Sequence, residues 1–162
     1  MFAILLMIFL IFVFRINLNK KKMGNYPDEL VAPIREDLKA VGFEEMMTAD
    51  DVENLINKGG NTVMVINSVC GCAAGIARPA LKMSLQVGEV LPENKVTAFA
   101  GMEYEAVNKA REFMMPYPPS SPCIAMFKDG ELKNVIERHQ IEGVELPTLV
   151  NNIVEGYKAS YQ

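Results

Sequence analysis

Three cysteines and one histidine are all that this 162-residue chain carries of the residues most used for soft-metal and thiol chemistry. So few cysteines, and an odd number, do not make the disulfide framework of a small secreted domain; a reducing compartment fits better. A single histidine leaves a closed four-ligand zinc site dependent on carboxylates or on a second subunit. Basic residues are outnumbered, the net charge is −4, and no basic stripe runs along the body, which argues against a nucleic-acid partner. Long apolar runs are also scarce. The one candidate, Met1 to Phe14, is followed by Arg15 and Lys20-Lys21-Lys22, and it falls short of the roughly 20 residues that a spanning helix needs. No positive segment precedes it and no small-residue cleavage site follows, so a cleaved secretory signal is a poor match. If it did insert, the charges after it would keep the body cytoplasmic. Met23 is followed by the polar, turn-rich Gly24-Asn25-Tyr26-Pro27-Asp28, a credible domain start. Residues 1–22 are therefore expected to be an apolar leader outside the fold, either a misplaced start or a membrane anchor, and residues 23–162 a single domain. The body shows no internal repeat and no low-complexity tract.

What the chain does have is Ser68-Val69-Cys70-Gly71-Cys72-Ala73-Ala74-Gly75-Ile76-Ala77-Arg78-Pro79-Ala80. The run before it, Thr62 to Asn67, has the β-branched content of a buried strand. The run after it places Ile76, Ala80, Leu81 and Leu85 at helical spacing. Cys70 and Cys72 thus fall where a strand ends and a helix begins. Unpaired amides and the positive end of the helix dipole favour thiolate at that place. Ser68 and Cys70 are both plausible caps, and Gly71 is read as the loose backbone between two close cysteines. A disulfide wants Cα atoms about 5.5–6 Å apart, which residues two apart reach only in a bent backbone. A Cys70–Cys72 bond is therefore expected to be strained, easily reduced, and suited to taking over a small thiol or shuffling disulfides. Two other readings of the pair stand beside this one: inert core cysteines, or metal ligands.

The remaining elements follow from periodicity and punctuation. Asp28 to Val41 reads as an amphipathic helix stopped by Gly42, with Pro33 placing its regular start near that residue. Thr48 caps a second helix, with Asp50 and Asp51 in its first turn and Val52, Leu55 and Ile56 on its buried face. The helix after the cysteines is expected from about Ala73 to Val87, kinked by Pro79. Lys95 to Ala100 is a strand and Glu103 to Met115 a helix, with Met114 and Met115 as core filler. Pro116, Pro118, Pro119 and Pro122 make a stiff connector. Cys123 to Phe127 is a strand, Asp129-Gly130 a hairpin turn, Leu132 to Glu137 the return strand, and Pro147 opens the last helix. From residue 62 the order is strand, helix, strand, helix, hairpin, helix. The first two strands should be parallel, the hairpin antiparallel, with helices on both faces.

Asn67 to Ala80, with its Cys-Gly-Cys, resembles the signature of the bacilliredoxin family, thioredoxin-like proteins. Val31-Ala32-Pro33-Ile34-Arg35, Gly42-Phe43, Phe99-Ala100-Gly101, Ser120-Ser121-Pro122 and Arg138-His139-Gln140-Ile141-Glu142-Gly143 are similar to further motifs of that family, and the likeness runs from about residue 26 to the C-terminus. The resemblance implies an α/β, thioredoxin-like fold with a central mixed sheet of four strands flanked by helices and an N-terminal helical extension. It implies a cytoplasmic enzyme that removes bacillithiol from protein mixed disulfides, with a modest disulfide isomerase activity. Bacillithiol would be co-substrate, no resident cofactor or metal is implied, and bacillithiolated proteins would be the partners. Cys70 would be the nucleophile, with Cys72 or a second bacillithiol resolving the adduct. Gly71, Ser121 and Pro122 would line the substrate, Pro122 in cis against the cysteines. Cys123 departs from the pattern, where serine is expected. It stands as an extra resolving thiol or, more in keeping with strand alternation, a buried small residue. Arg138 and His139 are left out of the catalytic set, and Arg78 is read as a cation adding positive potential near the thiols or, the commoner case, as an exposed helix cation.

Overall fold

The computed structural model describes residues 24–162, and the expected leader 1–22 lies outside them. Pro27 precedes helix α1 (Asp28–Lys39), whose last turn leads into the edge strand β1 (Glu44–Glu45). Helix α2 (Ala49–Lys58) opens on a reciprocal capping box: Thr48 Oγ1 accepts from Asp51 N–H at 3.2 Å, and the Asp51 carboxylate accepts from Thr48 N–H at 2.8 Å. Strand β2 (Asn61–Asn67) runs straight to the cysteine segment. After it come a π-helical turn (Ala73–Ala77), helix α3 (Arg78–Val87), strand β3 (Asn94–Phe99) and helix α4 (Tyr104–Phe113). The hairpin β4 (Cys123–Lys128) and β5 (Glu131–Ile136), a short 3-10 turn (Arg138–Gln140) and helix α5 (Leu146–Tyr161) complete the order.

These strands form one mixed sheet in the order β1-β3-β2-β4-β5. β2 pairs parallel with β3 (Asn67 opposite Phe99) and antiparallel with β4 (Ile66 opposite Cys123). The alternation of β2 divides two cores. Val63 and Val65 pack with α1, α3 and α5 through Leu38, Leu81, Leu149, Ile153 and Tyr157. Met64 and Ile66 pack with α2 and α4 through Val52, Ile56, Ala106, Val107 and Ala110. The middle strand is therefore apolar on both sides, as a strand covered by helices on both faces must be.

Three expectations need correction. Among the described residues the sheet has five strands rather than four, because β1 adds a two-residue parallel pairing beside Val96 and Thr97. Two glutamates carry no alternation to read, so this edge is set by tertiary pairing. α1 begins at Asp28, with Pro33 inside it; one missing amide at the sixth helical residue costs little when Val31 and Leu38 are fully buried against the sheet. Met115 is 71% exposed, whereas Met114 is buried, so only one of the two fills the core. The expected irregularity at Pro79 takes the form of the π turn: Arg78 N–H reaches back five residues to Ala73 C=O, and Pro79, which has no N–H to give, follows at once.

Candidate active site

β2 ends at Asn67, and helical backbone resumes at Gly71, so Cys70 stands at the mouth of the helix and Cys72 in its first turn. Both cysteines are partly exposed and Gly71 is exposed. The two sulfurs are joined as a disulfide with Cα atoms 5.4 Å apart, a separation ordinary for such bonds. Ala73 N–H donates to Cys70 Sγ at 3.3 Å, and Ala73 and Ala74 N–H also reach Cys70 C=O at 3.1 and 3.2 Å. Of the amides that a helix leaves unpaired at its start, that of Ala73 is thus turned on the Cys70 sulfur, while Ala74 makes the first regular helical bond to the Cys70 carbonyl. Ser68 does the capping on the other side, its Oγ accepting from Cys70 N–H at 3.1 Å.

Gly71 is not held in the left-handed region, and a Cβ there would meet no atom within 4 Å. The expected need for loose backbone is absent in this conformation. The glycine instead stands exposed, its own side facing open space. Pro122 is buried directly before Cys123, at the end of the sheet where β2 delivers the cysteines, and the Ser121–Pro122 bond is cis, as expected. Arg138 Nη1 donates to Ser121 C=O at 3.3 Å, so the loop after β5 supports the residue that precedes the proline. His139 is exposed.

Cys123 is 3% exposed, packed with Met64, Ile66 and Ala125 on the α2/α4 side of the sheet. Burial pushes its thiol up to about 11, so it is a protonated, inert side chain at neutral pH. Among the described residues no three His, Cys, Asp or Glu side chains come together as a metal site.

One residue near the site was misread in sequence. Arg78 is 6% exposed rather than a surface cation. Its Nη1 donates to Asn67 Oδ1 and to Ser68 C=O, each at 3.3 Å, and its Nε to Asp37 Oδ2 of α1 at 2.9 Å. Burial pushes the Asp37 carboxyl up, but hydrogen bonds and charge from Lys82 and Arg78 outweigh it and hold the group below the usual carboxylate range. The signal was available: Arg78 shares a face with Leu81 and Leu85, and a charge on an apolar face requires a buried partner.

The sequence model of the disulphide isomerase family matches residues 26–160. A bacilliredoxin of Cytophaga hutchinsonii is 55% identical over 118 residues, 73% of this chain and 87% of that protein. The chain belongs to the bacilliredoxin family. A second family member, from Staphylococcus aureus, is 44% identical over 128 residues, covering 79% of this chain and 88% of its own length. Among solved structures, a protein with a thioredoxin fold superposes with a TM-score of 0.54 at 14% identity, covering 69% of this chain and 90% of that one. Oxidised thioredoxin of Plasmodium falciparum gives 0.52 at 13% identity over 74% of this chain and all of that one. Those two likenesses establish the thioredoxin fold, and membership of the bacilliredoxin family makes the protein a thiol–disulfide oxidoreductase.

Proposed function

We propose that the protein removes bacillithiol from protein mixed disulfides in the cytoplasm, with Cys70 as nucleophile. The observation that carries this is the partly exposed Cys70 at the mouth of the helix, its Sγ accepting the Ala73 N–H. In the reduced enzyme the Cys70 thiolate attacks the bacillithiol sulfur of the mixed disulfide. The bond to the client sulfur breaks, the client leaves as thiolate and takes a proton from solvent, and Cys70 keeps the bacillithiol. Cys72 thiolate then attacks Cys70 Sγ, releasing bacillithiol and forming the Cys70–Cys72 disulfide; alternatively a second bacillithiol attacks the bound one, leaving as bacillithiol disulfide and returning Cys70 reduced. Where Cys72 resolves, two electrons from a dithiol or bacillithiol reductant reopen the pair. Gly71, Ser121 and Pro122 line the path of the incoming chain. Thioredoxin-fold placement of the pair at the start of a helix supports the role of Cys70, because a leaving or attacking sulfur there is stabilised as thiolate.

The experiment is to incubate reduced protein with a bacillithiolated client and follow both by intact mass. Release of free client, with a bacillithiol adduct trapped on Cys70 in the Cys72→Ser variant and no release by Cys70→Ser, is expected. The description of the matched family favours a second reading, disulfide isomerisation on protein clients. Recovery of a scrambled-disulfide substrate with no adduct from the bacillithiolated client would select it.

A further inference from the structure

The cysteine segment does not rest on the helix alone. Behind it lies an unbroken series of hydrogen bonds that starts in α1. Asp37 Oδ2 receives Arg78 Nε (2.9 Å); Arg78 Nη1 is shared between Asn67 Oδ1 and Ser68 C=O (3.3 Å each). Asn67 Oδ1 also accepts Ser68 N–H (2.8 Å), and Ser68 Oγ accepts Cys70 N–H (3.1 Å). The turn between the end of β2 and the nucleophile is therefore addressed, directly or through one intermediate, by a single buried guanidinium.

We infer that Arg78, held by Asp37, is a positioning residue for thiol exchange: its guanidinium fork fixes the Asn67–Ser68 turn so that Cys70 Sγ stays on the Ala73 amide. This rests on Cys70 being the nucleophile. The chemistry calls for arginine. Two acceptors on one side and a carboxylate on the other are met by a planar fork, whereas an ammonium presents a single point. Arg78, Lys82 and Asp37 form a linked group in which both cations contact the one carboxylate. Two cations against one anion leave a net positive charge behind the turn, which favours thiolate in front of it. The π turn contributes to the arrangement. It lies between Cys72 and Arg78, and an arginine on a helix leans toward the N-terminal end, which is where Ser68 and Asn67 are.

The test uses the full chain in a Cys72→Ser background, leaving Cys70 as the partly exposed thiol and Cys123 buried. Iodoacetamide labelling of Cys70 is followed by mass against pH, and the midpoint of the profile is read. Arg78→Met is expected to raise that midpoint by about one pH unit, a tenfold loss of thiolate below it. Arg78→Lys, which keeps charge without the fork, is expected to raise it by about half as much. A midpoint unmoved in folded Arg78→Met overturns the inference. Should Arg78→Met fail to fold, Arg78→Lys decides: a raised midpoint sustains the inference and an unmoved one overturns it. The alkylating agent is not bacillithiol, so a wild-type protein that fails on the bacillithiolated client but labels with these midpoints sinks the proposed substrate while leaving Arg78 in its role.

Discussion

At the scale of single residues, position in the fold separates three identical side chains into two kinds. Cys70 and Cys72 are partly exposed at the start of a helix; Cys123, one residue from the cis proline, is 3% exposed under Ile66 and Met64. A thiol pushed up to about 11 is neither nucleophile nor resolving group at pH 7. Cys123→Ala should keep thiol-exchange turnover within about twofold of wild type. The wild-type Cys123 should react with a thiol reagent only after denaturant is added, as counted by mass on the native and unfolded protein. The cysteine pair was readable in sequence because spacing, a preceding apolar strand and a following helical pattern agreed on one place. Arg78 was misread because its partners, Asp37 and Asn67, come from other elements, and neither helical periodicity nor composition reports a contact across 41 residues of chain.

Among the elements, α1 shows how an N-terminal helix is attached without a large apolar face. Only Val31 and Leu38 are buried on it. The attachment is completed by two charged contacts. Arg35 meets Glu45 of β1 at 2.5 Å and pairs with Glu103, whose other oxygen accepts Phe99 N–H at 2.7 Å; the Arg35 guanidinium also lies 5.5 Å from the Phe99 ring centre. Asp37 joins Arg78 and Lys82. The first contact holds α1 to the sheet edge, and the second holds it to α3, the helix that follows the cysteine pair. Arg35→Met should therefore lower stability by about 2 kcal/mol, between the value of an exposed ion pair and that of a buried one, since it leaves the nearly buried Glu103 carboxylate without its cation. Urea denaturation would show the loss, while the pH midpoint of Cys70 labelling stays where it is, unlike in Arg78→Met. The strands and helices that were legible are those with a strong period or a capping box, such as β2 and α2. β1 and the π turn were not, because one is two residues of pairing and the other a change of hydrogen-bond register that leaves the composition untouched.

Over the whole molecule, the sheet carries a buried acid on each face. Cys123 lies in the α2/α4 core and the stacked Tyr157 and Tyr161, 5.6 Å between ring centres, in the α1/α3/α5 core. Burial pushes Tyr157 up to about 12, and Tyr161 further, its hydroxyl donating to Thr62 C=O of β2 at 2.9 Å. A buried acid whose folded pKa lies above its unfolded one binds its proton more tightly in the native state. Its contribution is complete below the unfolded value and is lost as pH rises through the folded one. For Cys123 that loss begins near the unfolded thiol value of about 8.5 and for the tyrosines near about 10. Stability should accordingly be unaffected by these groups up to about pH 8 and fall from about pH 9 to 12 by several kcal/mol, since each tenfold difference in proton affinity between the folded and unfolded chain is worth roughly 1.4 kcal/mol. Because both faces pack on β2, deprotonation on either side should open the sheet as one cooperative transition rather than in two steps. Urea midpoints measured at successive pH values test this. In Cys123→Ala the onset of the decline should move up by about one pH unit, since only the tyrosines remain. A wild-type midpoint constant from about pH 8 to 10 would show that ionising the Cys123 thiol costs the native state nothing.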